Sequence, residues 1–278
     1  MRAYLARLGI DDPGAPSAAG LRALHRAQVE RIPYEAIDIY LGDPPGIDPA
    51  ESIARIGQGR GGYCYQLNGA FATLLTSLGY AVTWHIGGVH GDEQPVGATA
   101  NHLALTVSGL PDEDSPDGTW FVDAGLGDAL HDPLPLRTGV FRQGPFTFGL
   151  EPSTVVEGGW HFTHTADASF RGMDFGPVAL GPEDFLAKHT ELSTSPESGF
   201  VRTLSVQRRD EGGVDMVRGR HLIRFDADGK AKREIDSVDE LVAILTGVFG
   251  LDLVGVDVDE LWKRVLVDDQ AYRERTAE

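Results

Sequence analysis

Arg60-Gly61-Gly62-Tyr63-Cys64-Tyr65-Gln66-Leu67-Asn68-Gly69-Ala70-Phe71 carries the single cysteine of a 278-residue chain. Gly61 and Gly62 interrupt the preceding segment and read as a sharp turn. Beyond Cys64, apolar residues recur at Leu67, Phe71, Leu74, Leu75 and Leu78 with helical spacing, and Gly79 supplies a stop signal. The pattern predicts an amphipathic helix with Cys64 at or near its first turn. There, unpaired N–H groups and the positive end of the helix dipole favour a thiolate. A lone cysteine is more often an inert buried thiol, so its reading depends on what the rest of the chain brings to it.

Upstream, the chain reads as helical. Leu5 and Leu8 suggest a short helix, and Leu21, Leu24, Gln28 and Val29 a second one that stops before Pro33. Asp48-Pro49-Ala50-Glu51 is a helix start, with Asp as N-cap, Pro at the first position and Glu at the third. From about residue 81 the period changes to two: 82–89, 103–107 and 120–123 read as strands, with further β-like stretches at 146–148, 155–156 and 160–164. Residues 91–101 and the acidic 111–118 read as exposed loops, and 180–189 as a short connecting helix. Alternation returns at 201–207, 216–225 and 233–235, before two capping-box helices opening at Ser237 and Asp257. The order predicts an α+β protein: a helical unit with Cys64 over 1–80, a β-barrel over 81–180, a connecting segment over 181–200 and an α/β lid over 201–278.

Composition narrows the function. The net charge is −18, from 42 acidic and 24 basic side chains. A general nucleic-acid binder is disfavoured, because neutralising phosphates needs a basic footprint. No window of 18 uninterrupted apolar residues suggests a membrane span. The N-terminal residues lack the apolar run of a signal peptide, and one cysteine excludes an internal disulfide. A cytoplasmic protein is the expectation.

Two downstream segments complete the chemistry. Ala100-Asn101-His102-Leu103 puts a histidine at the start of an apolar strand, and Val122-Asp123-Ala124-Gly125-Leu126-Gly127 puts an aspartate at the end of another. A thiol attacks well only as thiolate, so it needs a base, and the base needs a partner that fixes its tautomer. Spacing alone does not make a triad, because triads are recognised by geometry. His161 and His164 lie three apart with no third ligand in view, so no metal is expected.

Taken in order, the Arg-Gly-Gly-Tyr-Cys motif, the Asn-His-Leu-Ala-Leu strand and Val-Asp-Ala-Gly-Leu-Gly resemble the arylamine N-acetyltransferase family. Arg31-Ile-Pro-Tyr-Glu35, Asp132-Pro-Leu-Pro-Leu136 and 192–200 add to the likeness. Gln66, Ala36 and Leu126 depart from residues common at those places. The resemblance implies a helical bundle, barrel and lid around a cysteine-protease-like core, with Cys64, His102 and Asp123 as a triad. It implies acetyl-CoA as co-substrate and an arylamine or hydrazine as acceptor. Gly125 and Gly127 would flank the CoA, and Tyr34, Val89, Leu126 and Phe200 would line the acceptor pocket. Glu35 and Arg60 are expected to form an ion pair nearby. The competing readings are an amide synthase releasing a polyketide chain as a lactam, a transglutaminase-like cysteine hydrolase, and a non-catalytic binding domain.

Overall fold

A computed structural model describes residues 1–277 apart from 92–93, 166–167 and 180, with side chains through 275. Five helices make the N-terminal unit: α1 (Arg2–Leu8), α2 (Ala18–Arg31), α3 (Ile37–Leu41), α4 (Pro49–Gly57) and α5 (Cys64–Ser77), with a two-residue strand β1 (Tyr34–Glu35) between α2 and α3. Asp48 caps α4 by accepting the N–H groups of Ala50 and Glu51, as its sequence signature requires. α5 is buried nearly all round, from Cys64 through Leu75, and forms the axis of the largest apolar cluster.

The middle of the chain is an eight-stranded antiparallel sheet that curls into a nearly closed barrel. Its strands are β2 (Ala81–His90), β3 (His102–Ser108), β4 (Trp120–Val122), β5 (Leu134–Pro135), β6 (Gly139–Gln143), β7 (Phe146–Pro152), β8 (Trp160–Thr163) and β9 (Gly172–Val178), in the order β5-β4-β3-β2-β9-β8-β7-β6. Alternate residues face inward, and Phe121, Phe146, Phe148, Phe162, Met173 and Phe175 fill the interior. Residues 155–156 are not a strand. The segment after β7 turns back toward β8, with the Ser153 hydroxyl accepting the Val155 and Val156 N–H groups.

A 3₁₀ turn (Pro182–Phe185), α6 (Leu186–Thr194) and α7 (Gly199–Arg202) connect barrel and lid. The helix expected over 180–189 thus starts later and runs further, and residue 180 lies outside the described residues. The alternation at 201–207 is broken likewise: Ser198 caps α7, and the strand opens only at Ser205. The lid sheet runs β1-β10-β11-β12-β13, with β10 (Ser205–Asp210), β11 (Gly213–Arg218), β12 (His221–Asp226) and β13 (Gly229–Glu234). Helices α8 (Val238–Gly247) and α9 (Val258–Ala277) cover it. Ile37 and Tyr40 of α3 sit in the lid core with Leu241, Leu245 and Leu261, so residues 34–41 pack with the C-terminal unit although they precede the cysteine. The overall class is α+β, with bundle, barrel-like sheet and lid. Among the described residues no helix is long and apolar enough to cross a membrane.

Candidate active site

The start of α5 is held by close backbone packing. A Cβ at Gly61 would lie 2.0 Å from the Pro33 carbonyl oxygen, and one at Gly62 would lie 2.7 Å from the Gln66 Cβ. Neither glycine has positive φ. The pair therefore serves close approach, letting the chain lie along β1, where the Glu35 N–H donates to the Gly62 carbonyl at 2.9 Å, and does not serve the sharp turn the sequence suggested. Gln66 Oε1 accepts the Tyr63 N–H at 3.0 Å and closes the helix start. Glu35, 2% exposed, pairs with Arg60 at 3.1 Å, as expected from the sequence. Arg55 and Asp38 extend the pair into a four-residue network that fixes this loop.

β3 and β4 bring the two other candidate residues together. They pair antiparallel, with Leu105 opposite Val122, so the residue that opens β3 and the residue that follows β4 meet at one end of the barrel. His102 Nε2 lies 2.7 Å from Asp123 Oδ2, and both side chains are almost wholly buried. Cys64 lines the same pocket as His102, its thiol 3.9 Å from the Asn101 carbonyl, and with Nε2 taken by Asp123 it is Nδ1 that remains for the sulfur. Burial works against charging this imidazole. The Coulombic pull and hydrogen bond of Asp123, and after them the interactions with Cys64, outweigh it and raise His102 to about 10. The arrangement holds His102 protonated through the neutral range.

Asn68, one helical turn after Cys64, orients the carboxylate. Its amide donates to Asp123 Oδ1 at 2.8 Å and to the Leu103 carbonyl at 2.6 Å, and its oxygen accepts the Ala124 N–H at 2.9 Å. The Gly125 N–H also donates to Asp123 Oδ1, at 2.9 Å. Asn101 clamps β2, its side chain bonding both the N–H and the carbonyl of Val89. Among the described residues Ala100 is the only non-glycine with positive φ, 61°, and its carbonyl accepts the Tyr65 hydroxyl at 2.7 Å. Sequence reading assigned no role to Asn68, Asn101 or Tyr65, although all three flank the motif residues.

Cys64 and His102 open on a cavity of about 250 Å³ whose walls include Tyr34, Val89, Leu126, Phe200, Phe170 and Gly125. Tyr34, Phe200 and Tyr63 form a run of tilted and edge-on rings. Gly125 is constrained by more than the cavity, since a Cβ there would lie 2.8 Å from the Cys64 Cα. Gly127 lies elsewhere: it has φ 67° and packs against the Gln207 amide, and Gln207 in turn lines the cavity. A second cavity of about 610 Å³ shares Gly199, Thr203 and Arg218 with the first. It gathers Arg202, Arg218, Arg220, Lys232, Arg264 and Arg275 against Asp268 and Asp269. Arg209 is not part of this basic surface. It is 1% exposed, donates to the Ala129, Gly213 and Gln143 carbonyls, and lies over the Phe146 ring, with burial lowering its pKa to about 10.

The comparisons with known proteins agree with one another. A family model described as N-acetyltransferase matches residues 18–258. An arylamine N-acetyltransferase of Mycolicibacterium smegmatis is 30% identical over 262 residues, spanning 90% of this chain and 91% of that one. The solved structure of Mycobacterium marinum arylamine N-acetyltransferase in complex with CoA superposes with a TM-score of 0.83 at 24% identity, covering 95% of this chain and 97% of that one. The proansamycin X synthase of Amycolatopsis mediterranei is 30% identical over 145 residues, half of this chain and 54% of that one. By the family match over most of its length and the identity it shares with its relatives, this chain belongs to the arylamine N-acetyltransferase family.

Proposed function

We propose that this enzyme moves an acetyl group from acetyl-CoA to an arylamine or hydrazine through an acetyl-Cys64 intermediate, with His102 and Asp123 completing the triad. The observation that carries the reading is the buried His102–Asp123 pair, whose imidazole opens together with Cys64 on one cavity walled by aromatic rings. Cys64 sulfur attacks the thioester carbonyl, and the CoA sulfur leaves with the proton held on His102. The amine then attacks the acetyl carbon, His102 takes its proton, and Cys64 departs as thiolate. The Cys64 N–H, in the first turn of α5, is the donor we assign to the oxyanion of both tetrahedral intermediates.

The acceptor ring lies in the smaller cavity against Tyr34, Val89, Leu126 and Phe200. Since an apolar cavity of about 150 Å³ accepts benzene, about 250 Å³ has room for one aromatic ring beside an acetyl group. The phosphates of CoA lie in the basic cavity that adjoins it, with Arg218 at the shared wall. Gly125 contributes by letting β4 approach Cys64, and Gly127 by positioning Gln207, so neither need touch CoA. The partial likeness to a proansamycin synthase favours an amide synthase as the second reading, but a cavity of this size suits a ring better than a polyketide chain.

The test is intact-mass measurement after mixing with acetyl-CoA. Wild-type protein should gain one acetyl group, which an arylamine then discharges, and Cys64→Ala should gain none. An acetylated Cys64→Ala protein, or a wild type that takes no acetyl group, overturns the proposal.

A further inference from the structure

A second cluster of reactive side chains sits on the outer face of the barrel sheet. Strand alternation puts Val89, Phe162 and Met173 inside, so their neighbours His90, His161 and Asp174 face the other way on three adjacent strands, β2, β8 and β9. The register sets His161 opposite Asp174 and His90 opposite Gly172. One ligand atom from each of the three residues lies within 4.8 Å of the others. The two imidazoles stack with centroids 5.7 Å apart and planes 18° from parallel. His164, three residues on from His161, points into the barrel, where it meets Asp128, Phe146 and Phe148.

Asp174 is the informative member. It is 0% exposed, and its Oδ1 takes the Ser153 hydroxyl at 2.7 Å and His161 Nδ1 at 3.0 Å. Its Oδ2 is buried and has no hydrogen-bond partner among the described residues. A carboxylate oxygen shut away from water with no donor is costly to keep, and a cation removes that cost. Gly172 lets the His90 ring lie close over β9, since a Cβ there would come within 2.9 Å of His90 Nε2.

We propose that His90, His161 and Asp174 bind a divalent transition metal of the zinc, cobalt or nickel kind. Two imidazoles and one carboxylate are borderline donors that suit these ions better than magnesium or calcium, which prefer all-oxygen shells. Bonds of about 2.0–2.2 Å to one ion fit ligand atoms that already lie within 4.8 Å of one another. Three protein ligands leave a fourth position for water, and His161, the least buried of the three, lies on the solvent side. The site is separate from the acyl-transfer machinery. It joins three strands beside Val89, whose backbone Asn101 clamps, and so its bound ion acts by stiffening that cavity wall.

Cys64 and His102 could themselves take up a soft metal, so the test uses the full chain with Cys64→Ala. Titration with Zn(II) by calorimetry and with Co(II) by visible absorption should reveal one saturable site and a rise in Tm. Asp174→Asn, which preserves shape, and His161→Ala should each weaken binding by about 100-fold or more, beyond the 10–100-fold typical of losing an outer partner. Zinc-edge X-ray absorption on the same Cys64→Ala protein should show a nitrogen and oxygen shell with two imidazoles, independently of how the site variants fold. The proposal fails if no saturable binding occurs, if binding survives Asp174→Asn undiminished, or if the zinc shell contains fewer than two imidazoles.

Discussion

Replacing Asp123 with Asn changes one atom, and the structure says which way the new amide must turn. Asp123 Oδ1 accepts N–H groups from Asn68 and Gly125, so an Asn there keeps its oxygen on that side and turns its NH₂ toward His102 Nε2. Nε2 then has to accept, and the neutral ring carries its proton on Nδ1, where it cannot take the thiol proton. The magnitude follows from the elevation of His102. The gap between about 10 and the usual 6.5 corresponds to about 4–5 kcal/mol in favour of the protonated ring, with Asp123 the largest contributor opposing the burial cost. Loss of most of this predicts a fall in kcat/KM of roughly 10³-fold. Alkylation of Cys64 by iodoacetamide, followed against pH, should lose its fast phase below pH 7 while far-UV circular dichroism is unchanged. The stability effect has a defined sign. His102 is raised in the folded state, so the wild type's advantage over Asp123→Asn is full below about pH 6.5 and fades as pH rises through about 10. An alkylation profile that matches the wild type, or a loss of kcat/KM below tenfold, would refute the reasoning.

Four further outcomes follow, three from the site geometry and one from the chain's charge. Asn68→Ala removes three hydrogen bonds around Asp123 and should cost about 3 kcal/mol in chemical denaturation, with kcat falling more than KM changes; a variant with wild-type kcat would remove Asn68 as a positioning residue. Gly125→Ala drives a Cβ to 2.8 Å from the Cys64 Cα, and a displacement of the nucleophile of the order of 1 Å predicts roughly 10²-fold lower turnover with a folded barrel, checked by single-turnover acetylation. Arg218→Ala should raise the KM for acetyl-CoA about tenfold, the value of one charge-assisted phosphate contact, and weaken its salt dependence. In the wild type, acetyl-CoA should be preferred over the same acyl group on an acidic carrier protein because of the chain's net charge of −18; a tenfold preference for the carrier that weakens with salt would favour the amide synthase reading.

The residues around Cys64 were legible because their message is local. The helical period after it, the Asp48-Pro49 cap and the capping boxes at Ser237 and Asp257 act over one or two turns, and the structure has a helix beginning at each. The short elements were not legible: β1 and β5 have two residues each and α3 has five, too few to display a period. Residues 201–207 misled for a related reason, since the Ser198 cap imposes a single helical turn on a stretch whose apolar pattern alternates.

What only the tertiary structure decided is which distant residues share a surface. Nothing in the spacing of His102 and Asp123 says that they meet; antiparallel pairing of β3 with β4 brings the start of one strand to the end of the other. Tyr34 and Glu35 precede the cysteine by about thirty residues yet pair with β10 of the lid, so the cavity is closed by backbone bonds formed across the whole chain. Arg208 and Arg209 are adjacent in sequence, but alternation buries Arg209 over the Phe146 ring, and the basic cavity is assembled from other residues of the lid strands and the C-terminal helix. His161 and His164 part company in the same way, one on each face of β8. Period and caps are properties of a segment, whereas proximity, burial and the elevation of His102 are properties of how segments pack.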